Sequence, residues 1–241
     1  MGFRLSSSGL GSFFHHHCER RLHDDARASA AKYAQPPLHA APGTSPSAWS
    51  AATTSRGVVF EDYVKESLQS PVAVEGLDAL PALASALRLG TPVRSFGESD
   101  FDAETRAALV ALNAEAAHED VITVEDFSRA PPPPLQVWYH PKFTPMLSES
   151  ADFSLANMEL DFLLVTAARG QRMLHIVDVK SSMAVKTSHQ VQVTLYALAL
   201  EELLRTLGLN RVRVSTHGII WLPPNADGGP PFARSRLHSL S

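Results

Sequence analysis

Three residues able to do acid–base or metal chemistry fall at the ends of two neighbouring predicted strands, residues 160–166 and 173–179. Asp161 stands at the start of the first strand, and Asp178 and Lys180 stand at the end of the second. A short glycine-containing connection joins the two strands, which predicts a hairpin. Side chains at positions i and i+2 share a strand face, so Asp178 and Lys180 point the same way, and antiparallel pairing brings Asp161 beside Asp178.

Two carboxylates and an ammonium group this close together favour a bound divalent cation. Like charges repel unless a cation neutralises them, and oxygen ligands suit Mg²⁺ or Mn²⁺. Such ions activate water and stabilise charge on a phosphate, which suits phosphodiester hydrolysis, and Lys180 would help to position or activate the water. The plain alternative is a pair of solvated strand ends, because an Asp-x-Lys sequence alone is weak evidence for a site.

Two predicted helices flank this hairpin in sequence. Phe60, Val64 and Leu68 recur at intervals of four residues and predict a short amphipathic helix before it. A longer helix is predicted over residues 188–207, where Gln192 and Tyr196 are four residues apart. Those two side chains therefore share one helical face.

The combination resembles the PD-(D/E)XK nuclease superfamily, in its RecB-like branch. Asp161 and the run from Asp178 to Lys180 look like that branch's second and third motifs, and Gln192 with Tyr196 looks like its QxxxY motif. The segment 57–61, a glycine followed four residues later by Glu61, is similar to the first motif. With a serine-rich opening helix that leads to Cys18, the resemblance runs from about residue 5 to about residue 222, in the family's order.

The resemblance implies a restriction-endonuclease-like fold, an α/β three-layer core in which helices flank a mixed central sheet. It also implies a role for each matching residue. Glu61, Asp161 and Asp178 would bind Mg²⁺ or Mn²⁺ together with the main-chain carbonyl of Val179. Catalysis would rest on Asp161, Asp178 and the catalytic lysine, Lys180. Gln192 and Tyr196, on the predicted helix 188–207, would orient DNA or the attacking water.

The expected activity is that of a Mg²⁺- or Mn²⁺-dependent deoxyribonuclease, a hydrolase that acts on single-stranded DNA or on DNA ends as an exonuclease, in repair, recombination or replication. DNA is the expected partner, and a helicase domain or subunit is a further one. Two alternatives stay open, a catalytically inactive nucleic-acid-binding domain of the same fold and an RNA-directed nuclease. The sequence does not distinguish DNA from RNA.

The sequence departs from the family at two points. Relatives with an iron-sulfur cluster use several cysteines, whereas this chain has only Cys18, so no iron-sulfur cluster and no internal disulfide are expected. A single cysteine also favours an intracellular location. Glu159 occupies a place where the family often has a small residue, and it either adds a metal ligand or is a solvated charge beyond the sheet edge.

The charge of the chain is unevenly distributed. The formal net charge of -4 gives no argument for nucleic acid. Twelve basic and twenty acidic residues precede Asp161, but nine basic and five acidic residues lie from Asp161 onward. A basic surface is therefore possible in the last third. No apolar run is long enough for a membrane-spanning helix, so no membrane partner is expected.

Four segments are expected along the chain. Residues 1–27 would form an N-terminal helix of the nuclease domain, 28–55 a low-complexity linker or insertion rich in Ala, Pro, Ser and Thr, and 56–222 the core. Residues 223–241 would be a tail whose last element has nothing to pack against, as expected of a truncated chain. Further helices are predicted over residues 80–89 and 101–116, and strands over 121–124, 135–139 and 211–221.

Overall fold

The computed structural model describes residues 3–5, 48–71, 74–87, 91–96, 102–119, 135–145, 153–155, 157–168, 170–224 and 233–240. These residues form helices and strands in an α/β arrangement. The helices are α1 (Ala48–Ser67), α2 (Pro81–Leu87), α3 (Ala103–Glu119) and α4 (Thr187–Thr206). The strands are β1 (Phe3–Leu5), β2 (Val74–Glu75), β3 (Val93–Ser95), β4 (Gln136–Tyr139), β5 (Lys142–Phe143), β6 (Phe153–Leu155), β7 (Met158–Glu159), β8 (Phe162–Ala168), β9 (Gln171–Val179), β10 (Val212–Val214), β11 (His217–Leu222) and β12 (Ala233–Ser239).

A mixed eight-stranded sheet organises the fold. Its order is β2-β12-β11-β9-β8-β4-β3, and β10 also pairs with β9. The meander β4-β8-β9 is antiparallel, whereas β11 runs parallel to β9. The connection between those two parallel strands contains α4, as a parallel crossover requires. The expected α/β class with a mixed central sheet is therefore confirmed.

Apolar side chains form two cores, and both contain residues of the central strands. One core holds Leu109 and Leu112 of α3, Val193 and Leu200 of α4, and Ile176 of β9. The other holds Val64 and Leu68 of α1, Leu83 of α2, and Phe162 and Val177 of the hairpin. Since Ile176 and Val177 are consecutive strand residues, they point to opposite faces. The sheet therefore lies between two helical layers.

The β8–β9 hairpin follows the predicted register. Phe162 pairs with Val177, and Ala168 pairs with Gln171 at the turn. Gly170 has a φ of +71°, which glycine adopts without the steric cost that a Cβ imposes. Because Asp161 immediately precedes the first of these pairs, the hairpin places it next to the end of β9.

A close helix–sheet contact fixes α4 over the sheet. A Cβ atom at Gly218 in β11 would lie 2.0 Å from Cγ1 of Val193, a residue of α4 that is fully buried. Only glycine therefore permits this approach. Gly208, with a φ of +68°, follows the helix as a positive-φ glycine commonly does.

The predicted boundaries are wrong at two places in the N-terminal part. Helix α1 begins at Ala48, so residues 48–55 belong to a helix and not to the predicted linker. Residues 3–5, at the start of the predicted N-terminal helix, are instead a strand that pairs with β6. The rest of segments 1–27 and 28–47, including Cys18, and the predicted strand 121–124 lie outside the described residues.

The prediction that the last element packs against nothing is also wrong. Strand β12 pairs with β11 along six residues and with β2 on its other side. Ala233 and Ser235 are almost completely buried. The core defined by the sheet therefore extends past residue 222. Among the described residues, no helix has the length and apolarity to cross a membrane.

Candidate active site

Asp178 and Lys180 lie at the end of β9 as the strand alternation predicts. Asp178 is fully buried, and its Oδ1 is 2.7 Å from Nζ of Lys180. Its Oδ2 has no hydrogen-bond partner in the described part of the chain. The backbone of Lys180 is fixed as well, since its N–H donates to the carbonyl of Trp221 at 2.8 Å. A buried carboxylate oxygen without a partner is costly and is a natural position for a cation or a proton.

Asp161 reaches the same strand end from the bend before β8. Its Oδ2 accepts a hydrogen bond of 2.6 Å from the backbone N–H of Val179. The predicted proximity of Asp161 and Asp178 across the hairpin is therefore confirmed. The hairpin thus fixes the carboxylate of Asp161 through the backbone N–H of Val179, the residue that follows Asp178.

The electrostatics of this group reflect burial and repulsion. Burial raises the pKa of Asp161, and the negative charges of Asp178 and Glu61 raise it further, while Lys180 and the Val179 hydrogen bond oppose the shift. Burial also raises the pKa of Asp178, against the opposing effect of Lys180, and Glu61 adds to the rise. For Lys180, burial lowers the pKa, but Asp178 and Asp161 more than compensate, so that the net shift is upward. Without a further positive charge, one ammonium group serves two carboxylates, of which Asp178 is fully buried and Asp161 partly buried.

Glu61 belongs to α1, which packs on the face of the sheet opposite to α4. Its charge contributes to the raised pKa values of both Asp161 and Asp178, which places it within electrostatic reach of them. Its Oε1 forms a short hydrogen bond with Nε2 of His140. The structure thus brings Glu61 to the candidate site, where it is engaged by a histidine that the sequence analysis did not identify.

His140 follows β4 and adopts a φ of +55°, which is uncommon for a residue other than glycine. Its ring stacks on Tyr139, with 3.8 Å between centroids and 20° between planes. Burial lowers the pKa of His140, but the hydrogen bond to Glu61 and the charges of Glu61 and Glu159 raise it above its ordinary value. No sequence signal pointed to it, because a lone histidine before a proline has no motif spacing.

Glu159 lies on the outer side of this arrangement. Its Oε1 is 3.2 Å from Nδ1 of His140 and 3.5 Å from Nζ of Lys142, and 43% of its side chain is exposed. The exposed position favours the interpretation as a charge beyond the sheet edge over a role as a third metal ligand. Glu159 is not simply solvated, however, because its carboxylate contacts His140 and Lys142.

Gln192 and Tyr196 lie on α4, above the same strand end. Nε2 of Gln192 donates to the hydroxyl of Tyr196 at 2.7 Å, so the predicted shared face is confirmed. Tyr196 is buried and contributes to the electrostatic environment of Lys180. The QxxxY pair is therefore placed near the lysine by the helix that Gly218 allows to approach the sheet.

The donors that could hold a metal are all oxygen atoms, as Mg²⁺ and Mn²⁺ prefer. The carboxylates of Asp161, Asp178 and Glu61 and the backbone carbonyl of Val179 belong to this set, and the unpartnered Oδ2 of Asp178 is its most buried member. In the ranges that the structure covers, no three His, Cys, Asp or Glu side chains already stand at metal-binding spacing. The chemistry of the donors fits a hard divalent cation, and binding would require the carboxylates to turn towards one another.

Aromatic and basic side chains are the kinds that contact nucleic acid, and those near the sheet differ in their exposure. Trp138 is 1% exposed and packs against Phe96, so it is a core residue. Arg172 is likewise buried and forms hydrogen bonds of 2.9 and 2.5 Å with both oxygens of Glu119. Tyr139, in contrast, lies beside the site, with the ammonium group of Lys65 4.2 Å from its ring centre.

Comparisons with known proteins add no identification. No protein-family model matches the chain, and neither a curated protein nor a solved structure is significantly similar to it.

Proposed function

We propose that this protein is a metal-dependent nuclease that hydrolyses phosphodiester bonds of DNA. The observation that carries the proposal is the group formed by Asp161, Asp178 and Lys180, in which two carboxylates with raised pKa values share one ammonium group at the end of β9. Perturbed pKa values in a group of this kind are typical of functional sites. The QxxxY pair next to Lys180 supports the same assignment.

The order of the elements supports a restriction-endonuclease-like fold. A helix carrying Glu61 precedes the antiparallel meander β4-β8-β9, and α4 then leads to β11, which is parallel to β9. The resemblance of the sequence to RecB-like nucleases requires these positions for its motifs. The order of the elements is therefore consistent with the order of the motifs.

Each residue of the candidate site would have a separate role. Asp161, Asp178 and Glu61, with the carbonyl of Val179, would hold Mg²⁺ or Mn²⁺. When bound, this cation supplies positive charge to the phosphate and makes water easier to deprotonate. Lys180 is held by Asp178 and carries a proton throughout the neutral pH range, since its pKa is raised. It would therefore stabilise negative charge on the phosphate by donating hydrogen bonds.

Helix α4 would contribute two side chains, Gln192 and Tyr196, that contact the substrate or the attacking water. The hydrogen bond from Gln192 to Tyr196 fixes the orientation of both side chains. Their polar atoms can meet the scissile phosphate or the attacking water next to Lys180, as the motif does in the family that the sequence resembles. Single-stranded DNA and DNA ends are the expected substrates, in repair, recombination or replication.

The proposal is tested with purified protein and end-labelled single-stranded DNA. Cleavage is expected with Mg²⁺ or Mn²⁺ and not in EDTA, and Asp178→Ala or Lys180→Ala should reduce the rate by at least about 100-fold, as loss of an electrostatic contact in the transition state typically does. Asp78→Ala, which removes an exposed carboxylate from the turn before α2, serves as the matched control and should cleave like the wild type. Cleavage that survives both active-site substitutions would contradict the mechanism.

The main alternative, a binding domain without turnover, gives a different result in the same assay. It predicts DNA binding in EDTA and no cleavage with any divalent cation. Removal of Asp178 also leaves Lys180 without its ion-pair partner, so folding of that variant is checked by circular dichroism. Asp161→Asn is the second variant, because an amide oxygen can still accept the Val179 hydrogen bond. Matched RNA and DNA oligonucleotides distinguish the two substrate classes.

A further inference from the structure

His140 is held between two acidic side chains at the edge of the candidate site. Its Nε2 bonds to Glu61 of α1, and its Nδ1 is 3.2 Å from Oε1 of Glu159 on β7. The backbone of His140 has a φ of +55°, a left-handed conformation that costs about 1 kcal/mol or more for a residue with a Cβ. Such a conformation persists only where the surroundings fix it.

Two further contacts hold His140 in place besides the two carboxylates. The imidazole stacks on Tyr139 at 3.8 Å, and Lys65 lies over that tyrosine ring. The backbone N–H of His140 donates to the carbonyl of Asp161 at 3.2 Å. His140 is therefore tied directly to one proposed metal ligand by its backbone and to another by its side chain.

Both ring nitrogens of His140 face carboxylates, so neither nitrogen is available to a cation. This arrangement argues for an indirect role. Glu61, in contrast, has two oxygens with several lone pairs, and a hydrogen bond at Oε1 leaves Oε2 able to serve as a ligand. Residues that hydrogen-bond a metal ligand fix its orientation, and their loss typically weakens metal binding by about 10- to 100-fold.

We propose that His140 is a positioning residue for Glu61, which it holds so that this carboxylate can join Asp161 and Asp178 around a divalent cation. The inference rests on the proposed function, since it concerns the same site. Glu159 would support His140 from the outer side and is itself held by Lys142. The positive φ belongs to this role, because it turns the imidazole from the end of β4 towards α1.

The positive φ also provides a sharp test. His140→Gly removes the imidazole but suits the left-handed backbone, so the variant should stay folded. His140→Asn keeps a residue that tolerates this backbone and retains an N–H donor that can reach a carboxylate. Binding of Mn²⁺ to the full chain, without nucleic acid, is measured by calorimetry at pH 8, and thermal unfolding checks that each variant is folded.

The expected result is a Kd for Mn²⁺ about 10- to 100-fold weaker in His140→Gly and restored to within about 3-fold of the wild type in His140→Asn. At saturating Mn²⁺, cleavage by His140→Gly should stay within about 10-fold of the wild-type rate, since positioning is recovered by mass action. A glycine variant that binds Mn²⁺ like the wild type overturns the inference. Equal weakening in both variants also overturns it, because the hydrogen bond would then have no part in binding.

Failure of the proposed function looks different in the same experiment. Asp178→Ala should abolish Mn²⁺ binding. If the wild type binds no Mn²⁺, or if Asp178→Ala binds it unchanged, the proposed metal site is wrong and the role of His140 falls with it. If the wild type binds and Asp178→Ala does not, the His140 variants test the positioning role alone.

Discussion

At the scale of single residues, the candidate site concentrates negative charge where water has little access. Asp178 is fully buried, Asp161 lies next to it, and one lysine balances both. The cost of burying the second carboxylate is visible in the raised pKa values. This group of charges therefore lowers the stability of the folded protein, as the proposed function would lead us to expect of a functional site.

Replacement of Asp161 by Asn should make the protein more stable at pH 8 in EDTA. The folded-state pKa of Asp161 is raised to about 7, above its ordinary value, so the unfolded chain releases this proton first and stability falls as the pH rises through that interval. Asn removes the charge and can keep the Val179 hydrogen bond. The expected gain is about 2 kcal/mol, less than the whole shift implies because Asp161 is partly exposed.

Urea unfolding at pH 8 measures this gain, with and without Mn²⁺. The wild type should be stabilised by Mn²⁺, since a ligand that binds only the folded state raises the free energy of unfolding. The Asn variant should respond much less. A variant that is less stable than the wild type in EDTA would show that Asp161 is not under repulsion.

The sequence predicts the positions of some site residues and not of others, for a physical reason. Asp161, Asp178 and Lys180 belong to one hairpin, so strand alternation and antiparallel pairing are enough to bring them together. The contact between Glu61 and His140 spans 79 residues and joins α1 to the residue that follows β4. No local pattern contains that information, and Glu61 was identified only through the resemblance to a family, while His140 was missed.

At the scale of elements, α4 determines where the QxxxY pair lies. The helix rests on β11 at Gly218, where any side chain would collide with Val193. The periodicity of α4 predicts its existence and its apolar face. It does not predict how closely the helix approaches the sheet, which depends on Gly218, a residue of a later strand.

Gly218→Ala should therefore destabilise the protein by about 1 to 3 kcal/mol, as overpacking of a core typically does. The added methyl group would displace α4, and with it Gln192 and Tyr196, so activity on DNA should fall as well. Chemical denaturation and a cleavage assay measure the two effects.

Gly218→Ala combined with Val193→Ala provides the control. The second substitution removes the methyl group that the new Cβ would meet at 2.0 Å. The double variant should recover activity relative to Gly218→Ala, although Val193→Ala alone costs stability by leaving a cavity. Simple additivity of the two single effects would contradict the contact.

The hydrophobic pattern of the sequence does not predict that β12 joins the central sheet. Its buried positions, Ala233 and Ser235, are small and weakly apolar, and arginines stand between and after them. The segment therefore lacks the alternation of large apolar residues that indicates a strand. Its place in the sheet comes from pairing with β11, whose other edge partner is β9.

At the scale of the whole molecule, the two oppositely charged parts of the sequence pair with each other. Arg172, from the basic C-terminal part, is buried against Glu119 of the acidic N-terminal part. Charge that the sequence analysis assigned to a possible nucleic-acid surface is thus partly used inside the fold. The net charge of -4 says little about any one surface.

One residue outside the site should oppose the gain in stability that acid gives through protonation of Asp161 and Asp178. His175 is buried in β9, and burial lowers its pKa to about 4, so it is neutral in the folded protein. Between that value and the ordinary value near 6.5, the unfolded chain binds the proton more tightly. The contribution of His175 to stability therefore falls by about 2 kcal/mol from pH 7 to pH 5, while Asp161 and Asp178 contribute in the opposite direction.

His175→Gln removes this titrating group, so its change in stability from pH 7 to pH 5 should be more favourable than that of the wild type by about 2 kcal/mol, measured by urea unfolding at both values. Thr166→Val is the matched variant, since it removes the hydroxyl that pairs with His175 at 2.9 Å but leaves the imidazole. It should keep the wild-type slope. Equal slopes for the wild type and His175→Gln would exclude this source of acid sensitivity.

The distribution of the site along the chain also bears on the order in which it is completed. The bond between Asp161 and Val179 closes a loop of 18 residues, whereas the bond between Glu61 and His140 closes one of 79. By loop-closure entropy alone, the second costs about 1 kcal/mol more than the first. On this basis, we expect Glu61 to join the two aspartates late in folding and to leave them first on partial opening. A partly folded chain would hold the aspartate pair and the lysine, but it would lack the carboxylate from α1.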